Sequence, residues 1–215
     1  MPLDPRFAPD FIVEEVMKRP AGSVTLCPLG PLTNVALALA KEPRLATRLA
    51  GIVLMGGGTF EGGNITPAAE FNIYVDPEAA RMVFNSGANV TFIPLDCTHE
   101  ALTTAKRTAA IRALGTPVGI AVAAWLDFFE RFDEQKYGTD GGPLHDPCVI
   151  AYLLKPELFE GRRVHVDVEC ASELTRGMTV ADWWGVTERD KNATMIRHVD
   201  ADGFFSLLTE RIAAL

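Results

Sequence analysis

Short apolar runs and helical stripes alternate through the first half of the chain. Ala8 to Lys18 places Phe11, Ile12, Val13 and Val16 at spacings that predict a helix with one core-facing side. Ser23-Val24-Thr25-Leu26-Cys27 is a β-rich run closed by Pro28 and Gly30. Leu32, Val35, Ala36 and Leu39 share one stripe of a helix predicted over Pro31 to Lys41. Gly51 to Met55 is the next apolar run, stopped by Gly56-Gly57-Gly58, and a loop containing Gly and Asn is predicted from there to Val75. Asp76-Pro77-Glu78 then suits a helix start: Asp caps, Pro fits the first turn, and Glu complements the helix dipole. That helix is expected to end at Ser86-Gly87, ahead of a strand from Asn89 to Pro94.

These strands are continuously apolar rather than alternating. That pattern predicts an α/β fold with a mostly parallel central sheet, flanked by helices and open like a Rossmann sheet. Thr103 to about Phe132 is helical by period, with a break near Gly115-Thr116-Pro117. A second loop, Gln135 to Pro143, leads to His145-Asp146-Pro147, where Asp146 and Pro147 resemble a cap and a first-turn proline for a helix through Leu154. Val164 to Cys170, Met178 to Ala181 and Ala193 to Val199 are strand-like, and Asp202 to Leu215 is a predicted terminal helix. Without a repeat, a low-complexity tract or a linker, residues 1–215 are expected to form one α/β domain.

Composition narrows the function classes. Twenty Lys and Arg against 28 Asp and Glu leave a net charge of −8, which disfavours a nucleic-acid partner because phosphate-backbone binding needs dense positive charge. No run approaches the roughly 20 apolar residues of a membrane-spanning helix. The start, Met1 to Phe7, does not have the pattern of a secretory signal, so no membrane and a cytoplasmic location are the expectations. The four cysteines (Cys27, Cys97, Cys148, Cys170) are scattered, which favours packing over a disulfide framework.

Ligands of open parallel sheets gather beyond the carboxyl ends of the strands. The segments to read are therefore Pro28 to Pro31, Gly56 to Asn72, Asp96 to His99, and His145-Asp146. Gly56-Gly57-Gly58 fits neither common phosphate-loop spacing, so these glycines are read as permitting a tight turn and close approach. Asn64, Glu70 and Asn72 carry the amide and carboxylate groups that a polyhydroxylated ligand requires, although loop polarity alone also accounts for them. If the segment is extended, Glu70 and Asn72 point to the same side. His145 has the chemistry of a proton donor and Asp146 that of an oxygen ligand to a hard cation, or else of a simple helix cap. His99 is equally ambiguous. His165 and His198 are read as structural, Trp183-Trp184 as packing, and Tyr137 as a weak candidate for an aromatic that closes over a ligand.

Several linked motifs resemble the inosine–uridine-preferring nucleoside hydrolases. They are Pro28-Leu29-Gly30-Pro31-Leu32-Thr33-Asn34, Met55-Gly56-Gly57-Gly58, the run from Gly63 to Ala80, Leu144-His145-Asp146-Pro147, and Glu173 to Val180. The resemblance runs in order from about Phe7 to the end of the chain. It implies cleavage of the N-glycosidic bond of ribonucleosides to ribose and a free base, and assembly as a dimer or tetramer. It also implies a Ca²⁺ ion held in part by Asp146, which would touch the ribose, and by the main-chain carbonyl of Leu29. On the same resemblance, Asn64 and Glu70 grip the 5′-hydroxyl end of the sugar and Asn72 its other hydroxyls. Met55 and Phe71 line the pocket, and His145 helps to protonate the leaving base.

One departure weighs against this. The family's acidic signature, D-x-D-P-G-x-D-D, is not found in this sequence, and Asp4-Pro5 does not replace it. Since Ca²⁺ generally takes 6–8 oxygen ligands, the expectation is an N-terminally truncated hydrolase with an incomplete calcium site and little activity. The alternative is a non-catalytic nucleoside- or sugar-binding or interaction remnant.

Overall fold

A computed structural model describes residues 4–138 and 140–215, with the backbone alone over 130–137. The first half runs α1 (Ala8–Lys18), β1 (Thr25–Leu26), α2 (Thr33–Lys41), α3 (Leu45–Arg48), β2 (Gly51–Met55), α4 (Phe71–Val75), α5 (Pro77–Phe84) and β3 (Val90–Ile93). The second runs α6 (Leu95–Thr98), α7 (Ala105–Arg112), α8 (Pro117–Tyr137), α9 (Pro147–Leu154), β4 (Phe159–Val168), β5 (Thr179–Asp182), β6 (Ala193–Val199) and α10 (Ala201–Ala213).

The six strands lie in the order β1-β2-β3-β6-β4-β5. Successive pairs β1–β2, β2–β3 and β3–β6 are parallel, and β4–β5 is antiparallel, so the predicted fold class holds. Register pairs Thr25 with Gly51 and Met55 with Ile93, which brings the carboxyl ends of β2 and β3 level. Every residue of β2 and β3 is buried, as continuously apolar strands covered on both faces should be.

The fold divides into two compact units, residues 1–95 with 161–196, and residues 96–160 with 197–215. In the first, Leu32 at the cap of α2 and Val35, Ala36 and Leu39 within it are buried as the stripe predicted, and Phe84 of α5 meets Phe92 of β3 edge to face at 5.3 Å. In the second, Ile111, Ala123, Leu126 and Ile212 form a separate small core.

Two predicted loops are partly helical. Phe71–Val75 is a helix because the Glu70 side chain caps it, accepting from the N–H groups of Asn72 and Ile73. The extended geometry expected for Glu70 and Asn72 is therefore wrong: Glu70 is extended, but Asn72 is helical. Helix α8 continues to Tyr137, past the expected loop start, and the Tyr137 side chain lies outside the described residues.

The turn after β5 makes a pH prediction. Asp182 accepts from the N–H groups of Val186 and Thr187, both at 2.8 Å, and from the Thr187 hydroxyl at 2.6 Å. These bonds, the hydroxyl first, hold its carboxyl down to about 2 from an ordinary 3.8. A depressed carboxylate contributes order that is complete above the ordinary value and lost as pH falls through the folded one. Fluorescence of Trp183 and Trp184 should therefore shift between pH 4 and 2. An Asp182→Ala variant, with its turn already loosened, should show no such step.

Candidate functional site

The first unit builds a polar cradle at the end of β2. Gly57 has φ +91°, and a Cβ there would lie 2.9 Å from the Thr179 hydroxyl, so glycine is required on both counts. Thr179 is fully buried and clamps Gly58 twice, accepting from its N–H at 3.0 Å and donating to its carbonyl at 2.9 Å. Glu70 is 2% exposed. One of its oxygens accepts from Gly57 N–H at 2.9 Å and Ile73 N–H at 3.4 Å, and the other from Asn72 N–H at 2.9 Å. A buried carboxylate thus joins the glycine turn to the start of α4.

The same cradle orients the amides. Asn72 donates through Nδ2 to the Met55 carbonyl at 3.1 Å, and its Oδ1 makes no bond to any described residue. Asn64 accepts from Phe71 N–H at 2.9 Å, while the Phe71 ring is about half exposed. The loop after β1 is tied to β2 where Met55 N–H donates to the Pro28 carbonyl at 3.1 Å, and the Leu29 side chain next to it is exposed.

The second unit holds the histidines. A short ladder, Thr103 N–H to Gly142 carbonyl at 2.9 Å and Leu144 N–H to Ala101 carbonyl at 2.9 Å, sets His145 beside α6. There His145 Nδ1 lies 2.7 Å from the Thr98 hydroxyl, and its ring centroid 5.9 Å from that of His99. Burial, reinforced by His99, pushes His145 down to about 4, so it is neutral at pH 7. Asp146 occupies the cap position of α9 with helical backbone angles and makes no capping bond, which removes the cap explanation for its carboxylate. It is solvent-accessible, yet enough protein surrounds it to raise its carboxyl above the ordinary value.

Other candidates have partners or surroundings that account for them. His165 Nδ1 is 2.8 Å from the Asp190 carbonyl, and His198 Nδ1 is 2.8 Å from Glu100. Trp183 stacks under the Arg162 guanidinium at 3.9 Å, consistent with packing. Burial pushes the Cys148 thiol up to about 12 and Cys97 higher still, which makes both poor nucleophiles. Met55, Asn64, Glu70 and Asn72 come together in the first unit, whereas His145 and Asp146 belong to the second. Two residues were missed by sequence reasoning. Thr98 and Thr179 sit inside motifs already singled out, but a hydroxyl's partner 47 or 121 residues away leaves no local signal.

An open, mostly parallel sheet with amide- and carboxylate-bearing residues beyond the carboxyl end of β2 is the class of α/β architecture that binds small molecules at that edge. The chain belongs to the inosine-uridine preferring nucleoside hydrolase family, whose sequence model matches residues 1–206. Members of that family are nucleoside N-ribohydrolases. The chain is 51% identical over 208 residues to an uncharacterised protein of Schizosaccharomyces pombe, covering 97% of this chain and 67% of that one. It is 48% identical to the pyrimidine-specific ribonucleoside hydrolase RihA of Shewanella woodyi, covering 97% of this chain and 69% of RihA. The purine-preferring ribonucleoside hydrolase from Gardnerella vaginalis superposes with a TM-score of 0.90 at 34% identity, covering 100% of this chain and 67% of that structure.

Calcium fits the present residues poorly. Among the described residues no group of three or more His, Cys, Asp or Glu side chains converges to hold a metal ion. The two expected ligands are the Asp146 carboxylate and the Leu29 main-chain carbonyl. They fall short of the 6–8 oxygens that Ca²⁺ takes.

Proposed function

We propose that this polypeptide supplies ribose recognition and a base-side imidazole for hydrolysis of a ribonucleoside N-glycosidic bond, and that by itself it turns nucleosides over at or near background. Breaking the C–N bond leaves oxocarbenium-like positive charge on the ribose, and a sugar site of amide and carboxylate oxygens favours that charge. The observation that carries the reading is Asn72. Its Nδ2 is fixed on the Met55 carbonyl, which leaves Oδ1 oriented and available to accept from a ribose hydroxyl. Asn64 serves the 5′-hydroxyl end. Glu70, with both oxygens already accepting backbone N–H groups, acts first by holding Asn72 in place. Met55 and Phe71 border the sugar, and the second unit offers the Asp146 carboxylate and, for the departing base, the His145 imidazole. The identity to a relative named as pyrimidine-specific supports uridine as the substrate to test first.

Low turnover follows from the sparse metal-ligand set among the described residues. Base release from uridine and inosine, with Ca²⁺ added, should be indistinguishable from the enzyme-free rate. Turnover comparable to that of a RihA would overturn the proposal of weak activity. The ribose reading has its own check: calorimetric titration with ribose should give a binding isotherm, weakened at least tenfold in Asn72→Ala. Absence of any binding heat in the unaltered protein would sink it.

A further inference from the structure

We propose that Thr98 is a positioning residue for His145, its hydroxyl donating to Nδ1 and so fixing the imidazole as the tautomer with its proton on Nε2. Thr98 is fully buried, and its Oγ1 lies 2.7 Å from His145 Nδ1. It makes no other side-chain hydrogen bond to a described residue. The direction of the bond follows from that. A buried hydroxyl hydrogen without an acceptor is costly, and the ring nitrogen is the acceptor within reach. Were Nδ1 to carry the proton and donate to Oγ1, the hydroxyl hydrogen would be stranded inside the protein. Nδ1 therefore accepts, and the ring proton of the neutral imidazole resides on Nε2.

The backbone holds both partners to this arrangement. Ala101 N–H donates to the Thr98 carbonyl at 3.0 Å, and the Ala101 carbonyl accepts from Leu144 N–H at 2.9 Å, next to His145. The consequence rests on the function proposed above: His145 then meets the departing base with an N–H donor rather than with a lone pair. A neutral imidazole can stabilise developing negative charge through such a hydrogen bond without first becoming imidazolium.

The test is nitrogen-15 NMR of the histidine side chains of the unliganded 215-residue protein at neutral pH, with a His145→Gln variant to assign the signals. Nδ1 of His145 is expected in the unprotonated range and Nε2 in the protonated range. Thr98→Val, nearly isosteric, should move both signals toward a mixture of tautomers, and Thr98→Ser should restore them. A proton on Nδ1 in the unaltered protein, or an unchanged tautomer in folded Thr98→Val, would overturn the proposal. If Thr98→Val does not fold, the unaltered spectrum still decides. The measurement needs no substrate, so failure of the ribose titration would count against the site reading and leave this one standing.

Discussion

Glu70→Ala is expected to lower the unfolding free energy by about 3 kcal/mol or more, since hydrogen bonds to a charged group contribute about 1.5–3 kcal/mol each and buried donors left without partners cost about 1–3 kcal/mol. The carboxylate is 2% exposed and accepts from Gly57, Asn72 and Ile73, so alanine strands three backbone N–H groups at once. Water reaches such a position only if the loop opens. Glu70→Gln keeps one acceptor oxygen and should fall between the unaltered protein and alanine. Urea unfolding followed by tryptophan fluorescence measures both. A loss within about 0.5 kcal/mol for alanine, the range of an ordinary surface substitution, would mean that the glycine turn and α4 are held by something else. The same variant should lose ribose affinity, because Asn72 takes its orientation from the helix start that Glu70 caps.

Glu70 also marks where sequence reasoning stops. The strands β2 and β3 and the helices α1 and α5 were legible because their signals are local: short apolar runs, a single stripe, and Asp76 accepting from Ala79 N–H at 3.0 Å ahead of Pro77. Helix α4 was not. Phe71-Asn72-Ile73-Tyr74-Val75 is rich in aromatic and β-branched residues that favour strands, and its helical state depends on a cap whose other hydrogen bond reaches 13 residues back to Gly57. Asp146 shows the converse. Asp-Pro reads as a cap, yet the backbone enters the helix without using the side chain, which leaves the carboxylate for other work. The candidate site residues were singled out through linked motifs, whereas their supports were not. Thr98 and Thr179 act through partners distant in sequence, and one hydroxyl in a loop looks like any other.

Gly58→Ala should be among the most damaging of the conservative glycine substitutions in the loop, costing about 2–3 kcal/mol as an overpacking change. An added Cβ would stand 1.8 Å from the Gly62 carbonyl oxygen and 3.0 Å from its carbon, both backbone atoms that no side-chain rotation can clear. Gly58 itself cannot retreat, because Thr179 holds its N–H and its carbonyl together. Relief must come from breaking that clamp or from displacing residues 59–63, and displacement carries Asn64 away from Phe71 N–H. Gly30→Ala is the comparison: nothing lies within 4 Å of its added Cβ and its backbone is not left-handed. That change should leave stability within about 0.5 kcal/mol, or raise it slightly through the unfolded chain. Unfolding midpoints for the two variants, read beside ribose titration of Gly58→Ala, separate the causes. Loss of both stability and affinity in Gly58→Ala is the expected result. Retention of both would mean that the loop yields at little cost, and that the close approach of Gly58 to Gly62 is not what places Asn64.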